Sequence, residues 1–411
     1  MSSSLRKPAL LFALSILVLT VAEILRVYWI MPFPGSQRGE TLATAYALHN
    51  YIVWVRVVFG LLAAGSFFIL MRRGRGLGRA FAIAAVLVFG ITAYQTNGPM
   101  SADVMFRQPA ELKFAAAADT VLPPETVVLG VALENGGKKE AKAYPVQLIG
   151  YHHQVRDEVA GRPILISYCT VCRTGRVFDP VVDGKAEDFR LVGMDDWNAM
   201  FEDGSTGSWW RQATGEAVAG PRKGAYLGEI ESRQMTFKAW LALHPASTVM
   251  EPDPGFAKQY KGMEGYAEGT RGGSLTGRNQ ESWQDKSWVV GVLAGAGVQK
   301  NARAFDWNEL AEKKAINDEI GDVPVVLLLG ADGASFYAYD ARLPGLETPL
   351  ELEPAAEAGV FLDKTSGSRI GENGVALDGP AAGARLPVLK AYQEFWHSWQ
   401  TFQKQTTARR G

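Results

Sequence analysis

Arg162-Pro-Ile-Leu-Ile-Ser-Tyr168-Cys169-Thr170-Val171-Cys172-Arg173-Thr-Gly-Arg-Val-Phe178-Asp179 contains the only two cysteines of this 411-residue chain. An apolar, β-branched run leads into the pair, and a second run, Gly175–Val182, leads away from it. That pattern predicts strand, turn, strand. The chain carries the same phrase a second time, as Pro324-Val-Val-Leu-Leu-Leu-Gly330-Ala-Asp-Gly333-Ala-Ser-Phe-Tyr-Ala-Tyr-Asp340. There Gly330 and Gly333 stand where Cys169 and Cys172 stand in the first, and Gly-Ala-Asp-Gly between two apolar runs is a turn signature. The cysteines are therefore expected at a hairpin tip. No helical period follows Cys172, which excludes a thioredoxin-like pair at the head of a long helix.

Working outward, the recurrence widens. Val128, Gly130, Val131, Gly136, Lys139, Ala141, Ala143, Asp157, Glu158, Pro163 and Asp179 recur 161 residues later, from Val289 and Gly291 through Gly297, Lys300 and Pro324 to Asp340. Gly220-Pro221, Gly224 and Trp240 recur 159 residues on, as Gly379-Pro380, Gly383 and Trp399. Such spacing reads as a tandem duplication. Strands are expected at Thr126–Leu133, Arg162–Tyr168, Gly175–Val182 and Trp209–Ala219. An amphipathic helix should close each copy, at Met235–His244 and Leu389–Gln403. The fold class is α+β and β-rich, with two tandem homologous units about a pseudo-two-fold axis. These follow an N-terminal three-helix transmembrane segment.

That segment is legible from charge and hydropathy. Runs 9–31, 51–71 and 80–95 are almost wholly apolar and long enough to cross a hydrocarbon core. Arg6 and Lys7 precede the first run, Arg72, Arg73, Arg75 and Arg79 fill the second loop, and the loop between the first two carries only Arg38. The excess of basic residues puts the N-terminus in the cytoplasm and the large C-terminal part outside it. The expected location is a bacterial cytoplasmic (inner) membrane. A cleaved signal peptide fits residues 1–31 poorly, because the run is long, contains Glu23 and Arg26, and lacks a small-residue cleavage site. Glu23, Arg26 and Arg56 inside apolar runs are expected to pair or snorkel, with a quinone or lipid contact as the alternative. The domain plan is 1–97 transmembrane region, 98–125 linker, 126–250 first repeat carrying the cysteines, 251–286 linker and 287–404 second repeat without cysteines.

Two cysteines at C-x-x-C spacing can close a structural disulfide, exchange with other thiols, or ligate a metal. Arg173 and Arg176 would favour thiolate. His152 and His153 lie upstream and Met200 downstream. A His152, Cys169, Cys172 and Met200 set is soft and would suit copper(I). One pair cannot supply closed four-sulfur zinc within one chain. The plainer readings are a hydrogen-bonded core histidine for His152, core packing for Met200 and Trp209-Trp210, and turn fixing for Asp179 and Asp340. The chain has no Gly-rich phosphate loop after a strand, no H-E-x-x-H and no G-x-S-x-G. Arg173 after Cys172 removes c-type haem attachment. A net charge of -1 argues against a nucleic-acid partner.

Ala143-Tyr144-Pro145, Tyr151-His152-His153-Gln154-Val155-Arg156-Asp157, Gly161-Arg162-Pro163, Tyr168 to Cys172 and Val177-Phe178-Asp179 together resemble the domain-of-unknown-function 3179 family of bacterial exported or membrane proteins. That family's pattern runs A-Y-P, W-H-E-I-V-N-D, G-x-P-V-x-V-T-Y-C-P-L-C-G and V-F-D. Thr214 to Val218 with Gly220-Pro221 also fits, and the resemblance covers about residues 100–405. It implies that the family's histidine falls on His152, its cysteines on Cys169 and Cys172, and its later methionine on Met200. Tyr151 replaces Trp, His153 replaces Glu, Thr170-Val171 replace Pro-Leu, and Arg173 replaces the Gly that a tight metal knuckle prefers. The resemblance transfers no activity.

The expected function is a membrane-anchored extracytoplasmic protein whose Cys169 and Cys172 cycle between dithiol and disulfide. His152 would donate or orient a proton, and Arg173 would stabilise thiolate. The partners would be the lipid bilayer and a membrane or periplasmic redox protein. A copper-binding module and a non-enzymatic scaffold or assembly factor with a structural disulfide are the alternatives. The cofactor is unknown, with copper as the candidate under the metal reading.

Overall fold

The computed structural model describes residues 3–37, 41–295 and 301–409. Arg38, Gly297 and Lys300 lie outside the described residues. Three long apolar helices come first: α1 (Ser3–Tyr28), α2 (Leu42–Arg73) and α3 (Leu77–Asn97). All three are long and apolar enough to cross a membrane. They begin earlier than the expected apolar runs, because the flanking polar residues continue the helical turns. Arg56 clamps Glu23 through two hydrogen bonds, Nε to Oε1 at 2.6 Å and Nη2 to Oε2 at 3.0 Å, and Asn97 adds a third donor at 3.0 Å. The buried Glu23 carboxylate is thus paired, as charge in an apolar setting requires.

The chain divides into two compact units. Glu187–Arg211 and Glu216–Tyr226 join the residues up to Arg107, and the second unit takes Gln108–Ala186, Gln212–Gly215 and Leu227 onward. In the first unit, strands Phe189–Asp195, Asn198–Asp203, Trp209–Arg211 and Ala217–Ala219 form one sheet. The run Trp209–Ala219 is therefore two strands. Thr214-Gly215, with Gly215 at φ +70°, turns the chain between them.

The second unit is β-rich. Strand Val127–Asn135 pairs antiparallel with Lys138–Pro145, and helix Val146–His152 follows. A meander of Gln154–Val159, Arg162–Cys169 and Thr174–Asp179 comes next. Arg233–Thr236 then returns to pair with Val127–Asn135, helix Phe237–Leu243 is capped by the Thr236 side chain, and Thr248–Met250 pairs parallel with Lys138–Pro145. Later in the chain, Trp288–Ala294 pairs with Asn301–Asp306, followed by helix Trp307–Lys313 and a meander of Ala315–Ile320, Val323–Leu329 and Phe336–Asp340. Lys390–Phe395 returns to Trp288–Ala294, helix Trp396–Phe402 follows, and Thr407–Arg409 pairs parallel with Asn301–Asp306.

The registers also correspond. Gly130 pairs with Ala143 and Arg233; Gly291 pairs with Ala304 and Tyr392. A Cβ on Gly130 would sit 2.3 Å from the Trp240 ring, and one on Gly291 would sit 2.3 Å from the Trp399 ring. Each indole lies flat on backbone that only glycine leaves bare. Its N–H is satisfied nearby, by Ser247 Oγ and by Thr406 Oγ1, each at 2.7 Å.

The expected closing helices are shorter than the amphipathic pattern suggested. Met235 and Thr236 end the strand Arg233–Thr236, and the first half of the second stretch is the strand Lys390–Phe395. Their backbone groups complete a sheet edge, and that tertiary pairing overrides helix propensity. Asp179 and Asp340 do fix turns, accepting from the Val181 and Arg342 amides at 2.9 and 3.0 Å.

Candidate functional site: a buried cysteine turn

Strands Arg162–Cys169 and Thr174–Asp179 form a hairpin in which Cys169 pairs with Thr174, so Cys172 lies in the connecting turn. Both cysteines are thiols and fully buried. A tight turn leaves carbonyls that the hairpin cannot satisfy, and burial makes those groups costly unless something else donates to them. Three neighbours do so. Tyr266 Oη donates to Thr170 O at 2.9 Å, Lys286 Nζ to Val171 O at 2.5 Å, and the Phe395 amide to Cys172 O at 2.9 Å.

His397 brings chemistry to this turn. Its Nε2 is 3.9 Å from Cys172 Sγ, and its Nδ1 is 3.0 Å from Asp285 O. A carbonyl oxygen only accepts, so Nδ1 carries the proton and Nε2 presents its lone pair toward the thiol. Burial, reinforced by the Lys286 charge, holds His397 down at about 3, so the ring is neutral near pH 7. Lys286 is itself pushed down to about 8 by burial, and negative charge on Cys172 or Cys169 would push it back up. A proton acceptor and a cation thus flank Cys172. Each is only partly buried, so they form the outer cover of the thiol.

Arg173 occupies the left-handed region at φ +56°, which favours glycine. Its buried guanidinium donates to Gln393 Oε1 at 2.8 Å, Tyr266 O at 3.1 Å and Ala267 O at 2.8 Å, and it stacks 3.7 Å from the Trp288 ring. These anchors hold a side chain where the family pattern has Gly. Arg176 is also buried and pairs with Glu394 at 2.5 Å; Glu394 further accepts from Ser398 at 2.9 Å. Burial opposes the Arg176 charge, but Glu394 and its neighbours outweigh it and raise its pKa.

His152 ends its helix with the ring buried, 2.7 Å from Tyr260 Oη and edge-on to Phe256. Burial raises the Tyr260 phenol to about 12. His153 sits at φ +61° with Nδ1 3.1 Å from Tyr151 O, and burial lowers it to about 4. Met200 lies in the first unit, in a core with Ile30, Ala45, Val192 and Trp209. Among the described residues, no three of His, Cys, Asp and Glu come together as a metal-binding group.

The residues that sequence reasoning missed are His397, Lys286, Tyr266 and Glu394. Tyr266 and Lys286 lie in the stretch 251–286, whose composition reads as a linker. The one available signal for the others was the polar pair Gln393-Glu394 inside an otherwise aromatic run ending at Trp399.

A family model described as "Protein of unknown function (DUF3179)" matches residues 108–406. No curated protein and no solved structure matches the chain.

Proposed function

The chain belongs to the DUF3179 family, and we propose that it is a membrane-anchored protein whose Cys169 and Cys172 act as an exchangeable dithiol, with His397 as proton acceptor and Lys286 as thiolate counter-charge. The contact between Cys172 Sγ and the acceptor nitrogen of His397 carries this reading. The Cys172 proton leaves to solvent through the contact with His397 Nε2, Lys286 holds the thiolate as counter-charge, and that thiolate attacks a disulfide on a partner molecule, displacing one partner sulfur as thiolate. Cys169 then attacks Cys172 Sγ and releases the second partner thiol. The partner disulfide is reduced by two electrons and this dithiol is oxidised by two. In this role Arg173 positions the turn, and His152 supports it from the neighbouring helix.

The same reading takes 126–250 and 287–404 as a tandem duplication with pseudo-two-fold symmetry. The shared sequence of strand pair, helix, three-strand meander, returning strand and helix, and the two glycine–indole contacts, support it. It also places the β-rich part outside a bacterial inner membrane, as the basic loop of Arg72, Arg73, Arg75 and Arg79 supports.

The test uses the full chain in detergent. Wild type should show a dithiol reduction potential above about -300 mV, and His397→Ala should slow alkylation of Cys172 at pH 7 by about tenfold. A potential well below that value, or alkylation indifferent to His397→Ala, overturns the proposal in favour of a structural bridge. Stoichiometric copper(I) lost on Cys172→Ser would replace it with the metal reading.

A further inference from the structure

A cleft of about 540 Å³ in the second unit is built around Trp288. Two guanidinium groups stack on that indole, Arg173 at 3.7 Å and Arg278 at 4.2 Å. Arg173 spends its donors on Gln393, Tyr266 and Ala267. Arg278 gives Nη2 to Asn308 Oδ1 at 2.7 Å, while its buried Nε has no partner. Trp288 Nε1 and Gln393 Nε2 are also buried and unpartnered, on side chains 6% and 3% exposed. The Gln393 amide cannot be flipped, because its oxygen already accepts from Arg173 Nε at 2.8 Å and Gln234 Nε2 at 3.0 Å.

All three orphaned atoms on this cleft are donors, and a buried donor left unmade is costly. The acids along the wall do not answer them. Asp332 is taken up by Thr236 and Ser335, and Glu125 and Glu268 are exposed. Burial and the like charge of Arg173 outweigh the Asp306 carboxylate and press against the Arg278 cation, a strain that a bound anion relieves. Trp307 supplies apolar wall, and the exposed Lys238 adds positive charge at the rim.

We infer that this cleft binds a small molecule bearing a carboxylate or phosphate beside an apolar group, the oxyanion accepting from Arg278, Trp288 and Gln393 and the apolar part packing on Trp307. The site does not depend on the thiol reading.

To test it, detergent-solubilised full-length protein is titrated with phenyl phosphate, phenylacetate and the neutral 2-phenylethanol, followed by tryptophan fluorescence and calorimetry. At least one anion should saturate below about 10 mM while the alcohol does not, and the better of the two anions identifies the headgroup class. Arg278→Gln should weaken that binding by about tenfold or more. Gln393→Glu keeps an acceptor for Arg173 and Gln234 but sets a carboxylate in the cleft, so it should also abolish binding while the melting temperature stays near wild type. The Cys169→Ser, Cys172→Ser double variant should bind as wild type does. Equal binding of the alcohol, no saturation by either anion, or binding unchanged in a folded Gln393→Glu protein overturns the inference.

Discussion

The cysteine turn and the glycine turn at Gly330–Ser335 occupy equivalent places in similar meanders, yet they are held in opposite ways. In the glycine turn one side chain within the turn makes most of the bonds, with Glu372 accepting from the Ala331 amide at 2.7 Å. Asp332 Oδ1 accepts from the Ala334 and Ser335 amides at 2.9 and 2.8 Å, and Oδ2 accepts from Ser335 Oγ and Thr236 Oγ1, each at 2.5 Å. Residues 331–333 are exposed. In the cysteine turn every residue from Cys169 to Arg173 is buried, and the carbonyls depend on Tyr266, Lys286 and Phe395. His153 and Lys314 show the same divergence. Both sit in the left-handed region, at φ +61° and +63°, and each offers its carbonyl to the incoming strand, but the histidine is buried and the lysine exposed. A turn that serves only to reverse the chain can satisfy itself. One that has been recessed and surrounded depends on its neighbours, and those neighbours bring a base and a cation to a thiol.

The largest expected effect breaks the recessed side. Glu394→Ala removes the closest carboxylate from buried Arg176, leaving Glu229 at 3.7 Å, and takes one acceptor from Ser398; it should destabilise the protein by about 3–5 kcal/mol, read as a lowered melting temperature. Arg176→Met in the same background should restore part of the loss, since it removes a buried charge that Glu229 alone compensates poorly.

Acid should act next, and on the same side. Unfolded histidines take up protons below about pH 6.5, whereas folded His153 waits until about 4 and His397 until about 3. Their folded pKa values are depressed, so the stability they contribute is whole above about pH 6.5 and drains away as pH falls toward 4 and 3. For fully buried His153 this amounts to about 1–2 kcal/mol between pH 6.5 and 5. Melting temperatures across that range should fall, and His153→Asn should flatten the slope.

The smallest effect sharpens the contrast. Asp332→Ala should cost about 1–2 kcal/mol through lost turn bonds yet leave Cys172 alkylation unchanged. Lys286→Met should do the reverse, slowing alkylation at pH 7 several-fold with a modest stability change. Equal effects on alkylation from both would erase the distinction between the turns.

Much of this was legible in the sequence. The apolar runs gave the three helices, with their ends displaced. The strand–turn–strand reading around Cys169 matched the hairpin, because a short β-branched run beside a turn is a local signal. The partners of the turn were not legible. His397 is more than 220 residues from Cys172, and no local pattern encodes a contact made from the helix that follows a returning edge strand. Residues 251–286 looked like a tether because Gly and charge dominate them, yet buried Tyr260, Met263 and Tyr266 punctuate the stretch. Lys390–Phe395 read as helix because its aromatic spacing also suits a 3.6-residue period.

The long sequence separation of the cysteine pocket sets a timetable for synthesis. Phe395, His397 and Glu394 are made more than 220 residues after Cys172, so these contributions to the pocket are missing while the chain grows from Cys172 to reach them. At the usual pace of translation that interval is about 10–45 s. During it the thiols meet whatever oxidants or ions the compartment holds without these late-arriving residues, and residues 394–397 then close over whatever state they have reached.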